Sequence, residues 1–181
     1  RLALIPYHRE GRRMKGLVRF RVQDISAPYQ QLVALYRTGI AVGDYPIDHH
    51  HRKNSEAPQH LGFYPVPSFS VPLGTLIPPA EFSGIIAAEK AISVSNVVNG
   101  TTRLQPCVLL IGQAAGTLAA LTTKLGYTNA IEVPVRKVQE VLLQSNAYIM
   151  PYADVAIKDL GFQSIQRVGA VSYTHLTLPT I

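Results

Sequence analysis

Apolar and polar positions recur with three different periods along this chain, and each period predicts a different element. From Gly16 to Val22 (GLVRFRV) apolar and basic residues alternate, a period of two that predicts a strand. Leu32 to Val42 (LVALYRTGIAV) reads as a further extended segment, closed by Gly43-Asp44-Tyr45-Pro46. Between Tyr64 and Pro79 the prolines at 65, 67, 72, 78 and 79 forbid a helix, and the alternating apolar positions predict a short edge strand with a turn at Gly74. Gly84 to Ala88 is a continuous apolar run, the profile of a strand buried on both faces of a parallel sheet. Ile92 to Asn99 is expected as a loop or short strand. Gln105-Pro106 then opens a long helix, with proline where the first turn tolerates it, and Gly126 closes it. Pro134 starts a second helix through about Ala147, whose Val135, Val138, Val141 and Leu142 recur on one face. After Met150-Pro151 the pattern weakens from Asp154 to Ala170.

Composition narrows the class. A length of 181 residues suits one domain, or one and a part, and 47% apolar with 15% charged residues describes a globular core rather than a disordered chain. The net charge of +6 is concentrated early, from His8 to Lys15. A basic loop facing an acidic neighbour explains that cluster better than a nucleic-acid surface, so no nucleic-acid partner is expected. The lone Cys107 excludes an internal disulfide and a thiolate-rich metal site, and is expected as a small buried helix residue. No run approaches the roughly 18 apolar residues of a membrane span, Cys107 to Leu121 coming closest, and no membrane partner is expected. The compartment stays open.

Three features carry candidate chemistry. The start of the long helix offers free N–H donors and a partial positive charge to an anionic oxygen, and its Gly112, Ala115, Gly116 and Ala119 let a backbone or a flat cofactor come close. Arg103 offers a bidentate fork to a carboxylate. His49, His50 and His51, with Asp44 and Asp48, form a polar constellation suited to proton transfer at neutral pH. Successive side chains of an extended chain alternate faces, so the three histidines cannot share one pocket, and spacing for two convergent metal ligands is missing. No metal site is expected. A solvated loop is the rival reading of the histidines.

In order, the chain presents Ile5-Pro6-Tyr7-His8-Arg9-Glu10-Gly11-Arg12-Arg13, Gly43 to His50 (GDYPIDHH), Ile77-Pro78-Pro79, the Gly84 to Ala88 run, and Asn99 to Pro106 (NGTTRLQP) leading into Gly112 to Gly116 (GQAAG). The ordered set resembles the C-terminal half of a bacterial family of FAD-dependent oxidoreductases with a glutathione-reductase-like fold, some of whose members are labelled xanthan lyase. The resemblance implies an α/β fold. It places the C-terminal part of a substrate domain at 1–80, the returning strand and flavin-contacting helix at 81–126, and a C-terminal helix with the start of an extension at 127–170. It implies FAD as cofactor and hydride transfer from a polar small molecule, such as a sugar or hydroxy acid, to the flavin. Asn99, Gly100, Thr101, Leu104, Gln105, Pro106, Gly112 and Gly116 fall at the flavin end.

Arg103 lies in a run similar to the His-Gly-x-x-Arg-Leu run of fumarate reductases, where the arginine holds a substrate carboxylate; here Asn99 replaces the histidine. His49 or His50 would take the coupled proton. Related flavoproteins place Gly-Asp or Gly-Arg after the counterpart of Ala87-Ala88, whereas this chain has Glu89-Lys90. Glu89 would need a different backbone position to reach the ribityl chain. The sequence holds no G-x-G-x-x-G turn, so the half that binds the pyrophosphate is expected to lie in a missing N-terminal part of the same chain. A polysaccharide lyase using Tyr45, His49 and Arg103, or a non-catalytic binding module, are the alternatives. Val171 to Ile181 (VSYTHLTLPTI) resembles the translation of a transposase adapter used in DNA library preparation and is set apart from the fold.

Overall fold

One long helix and the short strand beneath it organise the rest of the chain. The computed structural model describes residues 4–5, 11–49 and 62–171. The helix, α3 (Gln105–Lys124), starts where expected because Pro106 in its first turn gives up no intrahelical bond. It ends in a Schellman turn: Gly126 takes φ 71°, the Tyr127 N–H reaches the Thr122 carbonyl at 3.0 Å, and the Gly126 N–H reaches Thr123 at 3.1 Å. Cys107, Ile111, Ala114, Ala115 and Leu118 form its buried stripe, packed on β1 (Gly39–Gly43) and on α4 (Val135–Gln144). By length and composition α3 is also apolar enough to cross a membrane, with a mean hydropathy of 1.4 over its best 18-residue window, although the sequence had suggested no such run. Here it lies against the sheet and α4.

β1 pairs antiparallel with β2 (Phe69–Pro72), Ala41 opposite Val71 and Gly43 opposite Phe69, with an irregularity between Gly39 and Ala41. Ile40, Ala41, Phe69 and Val71 are fully buried, and the Phe69 ring meets Phe20 at 5.7 Å between centroids. Burying each such large side chain contributes about 1.5–3 kcal/mol. The proline-bounded edge strand and the turn after it are as expected, the turn being a short 3-10 segment at Leu73–Thr75.

Four expectations are corrected. The alternation from Gly16 to Val22 is real in burial but builds no strand. Its backbone partners are split between two loops: Leu17 N–H bonds Ile77 and Val18 N–H bonds Gly74, whereas Phe20 N–H bonds Ser93. Only an isolated bridge from Phe20 to Val94 results, and Val22 instead begins the one-turn helix α1 (Val22–Ser26), closed by the Asp24 carboxylate on the Arg21 N–H at 2.7 Å. Leu32 to Val42 contains a 3-10 turn at Leu35–Thr38 before β1 begins. Gly84 to Ala88 is no buried parallel strand, since Ile85 is 56% exposed and the Ala87 N–H bonds Leu76 outside any ladder. Ile92 to Asn99 runs into a helix, α2 (Asn96–Thr102), whose first turn is capped by Ser95 Oγ accepting the Val98 N–H at 3.3 Å.

The weakly patterned C-terminal stretch holds α5 (Phe162–Val171), packed on α4 and on the 35–38 turn. Val171 is the last residue of this helix, and residues 172–181 lie outside the described ones. Two buried glutamines tie this half together. Gln139 of α4 donates to the Arg37 and Gly39 carbonyls at 3.1 and 2.8 Å. Gln166 of α5 accepts the Ile149 and Met150 N–H groups and donates to the Met150 carbonyl, all within 2.9 Å.

Candidate functional site

The loop that leaves β1 is fastened to α2 residue by residue. The Thr101 hydroxyl donates to the Tyr45 carbonyl at 2.7 Å. Arg103 Nη2 donates to the Asp48 carbonyl at 2.9 Å and to its carboxylate at 3.3 Å. His49 Nε2 meets the Asn96 carbonyl at 2.5 Å; a carbonyl only accepts, so that nitrogen carries the hydrogen. Gly100 makes this closeness possible. A Cβ there would stand 3.0 Å from both the Asp48 carbonyl and the His49 ring. On its other side the loop is held at Ile47, which exchanges both backbone bonds with Tyr64.

Arg103 is 6% exposed and His49 3% exposed, so both sit inside this knot. Asn99 and Thr101 are also buried. Desolvation makes an isolated guanidinium expensive, and the Asp48 carboxylate is what makes its burial tolerable. His50, His51 and the 6–10 part of the early basic motif lie outside the described residues.

Next to the knot is a cavity of about 430 Å³. Leu104, Pro106 and Leu110 form one wall, and Asp44, Tyr45 and Tyr148 stand elsewhere around it. The N–H groups of Gln105 and Cys107 in the first turn of α3 have no carbonyl one turn earlier within the helix to bind, so the helix brings its positive end to this space. Both tyrosine rings are pinned. Tyr45 packs edge-on against Phe63 at 6.0 Å, and Tyr148 against Phe162 at 5.0 Å while its hydroxyl donates to Val155 at 3.0 Å. Asp44 Oδ1 accepts the Ser68 hydroxyl at 2.6 Å.

Cys107 also reaches the cavity wall, but burial pushes its thiol up to about 12, so it stays protonated and unreactive at neutral pH. Gly112 and Gly116 lie on the exposed face of α3, where an added Cβ would meet nothing within 4 Å. Glu89 does not line the cavity; it is exposed and takes φ 58°, with its carboxylate 3.2 Å from Lys90. No three His, Cys, Asp or Glu side chains gather as metal ligands among the described residues.

The structure therefore brings Thr101, Leu104 and Pro106 to the cavity's lining, leaves Gln105 exposed between Leu104 and Pro106, and closes Asn99, Gly100, Arg103 and His49 into the knot beside it. Sequence reasoning grouped Asp44 with the histidines and missed its pairing with Ser68 and the cavity it shares with Tyr148. Ser68 sits in a proline-rich stretch and Tyr148 in a short connection after α4, and neither position carries a periodic signal.

A model of the family described as FAD dependent oxidoreductase matches residues 1–142. No curated protein and no solved structure matches the chain.

Proposed function

The chain belongs to the FAD dependent oxidoreductase family, and on that premise we propose that it holds the ring end of FAD at the start of α3 and removes hydride from a C–H bond of a polar small molecule. FAD is the family's cofactor; when bound, it supplies the two-electron acceptor. One observation carries the reading: the first turn of α3 opens on the 430 Å³ cavity, with Leu104 and Pro106 on its wall. These residues fit a flat ring on chemical grounds. Leu104 and Pro106 give an apolar surface, and the unpaired first-turn amides of Gln105 and Cys107 stabilise negative charge at a ring oxygen.

Asn99, Gly100 and Thr101 serve by fixing the turn from α2 into α3. Arg103 and His49 act as positioning residues, holding the 44–49 loop at the cavity's edge; a substrate carboxylate would have to compete with Asp48 for the guanidinium. The glutathione-reductase-like fold and the assignment of 1–80 to a substrate domain belong to the same proposal. So does a phosphate end of FAD held by residues outside these 181, since none of them forms a G-x-G-x-x-G turn.

The test uses the protein expressed from its complete reading frame. It should purify with oxidised-flavin absorption, and that absorption should bleach anaerobically with a hydroxylated donor such as D-glucose or L-lactate. A colourless protein that also fails to take up added FAD sinks the reading.

A further inference from the structure

Asp44 differs from Asp48, the other carboxylate of the site, in being solvent-exposed and in having no ion pair among the described residues. Among the described residues it pairs with no Lys, Arg or His; its one contact is the Ser68 hydroxyl on Oδ1. Among the described residues that line the cavity none is cationic; apart from Asp44 and the Thr101 and tyrosine hydroxyls they are apolar or aromatic. The Ser68 bond holds the carboxylate in one orientation and leaves it lone pairs to spare, because an ionised carboxylate accepts about four hydrogen bonds. At about 430 Å³ the space, which the flavin ring and the donor would share, lies within the range of small-molecule sites, about 300–1,000 Å³.

This lining discriminates by charge. A carboxylate donor would be repelled by Asp44 and would find no cation among the described residues of the wall. A cationic donor would suit Asp44 locally but approaches a chain of net charge +6. A neutral donor rich in hydroxyls avoids both conflicts: hydroxyls donate to Asp44, and its C–H faces lie against the pinned rings of Tyr45 and Tyr148.

Resting on the flavoenzyme reading above, we propose that Asp44 binds a hydroxyl of a neutral polyhydroxylated donor, of the size of a single sugar ring, and accepts its proton. The step balances. The carbinol C–H bond breaks and its electron pair leaves with hydrogen as hydride to the family's FAD, the O–H proton passes to the Asp44 carboxylate, and the carbinol becomes a carbonyl. Ser68 is then a positioning residue that keeps the accepting oxygen fixed.

Asp44→Asn tests this, because the amide keeps an oxygen for Ser68 and the side chain's shape while losing the charge. Two readouts are taken on the complete protein: calorimetric binding of D-glucose, D-glucosamine and D-gluconate, and anaerobic flavin bleaching by D-glucose. The wild type should bind D-glucose best of the three. Asp44→Asn should weaken that binding about tenfold or more and slow bleaching by about a hundredfold or more, with flavin content unchanged. Ser68→Ala should show a smaller loss of the same kind. Equal D-glucose binding by wild type and Asp44→Asn, no D-glucose binding by the wild type, or a wild-type preference for D-gluconate or D-glucosamine, would overturn the proposal while leaving the flavin assignment standing. Loss of flavin from the wild type itself would instead remove the reading on which it rests.

Discussion

Asp48 and Asp44 leave the same short loop, yet their surroundings divide the site into a closed half and an open half. Asp48 is engaged by Arg103, inside a knot completed by His49 on the Asn96 carbonyl and Thr101 on the Tyr45 carbonyl. Among the described residues Asp44 accepts a hydrogen bond from the Ser68 hydroxyl alone, and it lines a cavity walled by Leu104, Pro106 and two tyrosines. The difference teaches that charge and histidine content do not mark the open part of a site. The residues richest in chemistry are consumed in shaping the loop, and the chemically plainer neighbours line the space that it frames.

Breaking the closed half should have the largest effect. Arg103→Met removes the guanidinium that pairs with the mostly buried Asp48 carboxylate, and chemical denaturation should show a loss of about 3–5 kcal/mol, with Asp48→Asn recovering part of it in the double variant. If Arg103→Met instead leaves stability intact and removes only turnover, the arginine serves substrate rather than loop. Gly100→Ala presses a methyl against the Asp48 carbonyl and the His49 ring, and should cost about 1–3 kcal/mol by the same assay. A neutral result would mean that α2 and the loop are not held at the distance described.

The open half is sharpened through Cys107. Its raised thiol means that the unfolded chain gives up the proton near 9 and the folded chain only near 12. Between those values the unfolded state binds fewer protons, so the thiol's contribution falls as pH rises from about 9 to about 12 and is fully present below. Cys107→Ala should therefore show a shallower alkaline decline in stability than the wild type, and native Cys107 should resist alkylation at pH 8 until denaturant is added. Parallel declines would place the thiol in water.

Outside both halves the effect should be smallest. Glu89→Gly relieves a left-handed φ of 58° and should stabilise by about 0.5–1 kcal/mol, the gain being limited by glycine's greater freedom in the unfolded chain.

How far these features were legible differs from residue to residue. The ends of α3 could be read because Pro106 and Gly126 act locally, through a missing N–H and a left-handed φ. Edge strand β2 could be read because its prolines exclude alternatives. Gly16 to Val22 misled because burial alternates with period two whether or not a partner strand exists, and here the partners come from separate loops. Gly84 to Ala88 misled because an apolar run specifies burial and not what supplies the cover. The departure at Glu89 was visible in sequence as the loss of a glycine. Its consequence is a glutamate that keeps a glycine-like backbone. Arg103 and His49 were singled out separately, as a substrate-carboxylate and a proton-transfer candidate, and only the fold reveals that Gly100 lets the loop close on α2. That Asp44 meets the Ser68 hydroxyl and no cation among the described residues was illegible, since the neighbours of a loop residue are set by the fold.

The most direct measurement of the central claim, that the start of α3 opens on the flavin's ring end, is the visible spectrum of Leu104→Trp in the protein from the complete reading frame. The substitution fills the cavity wall without touching Arg103, Asp48 or Asp44. The account predicts a folded variant, by circular dichroism, whose flavin absorption is lost or displaced relative to the wild type. A folded variant with the wild-type flavin spectrum would contradict it.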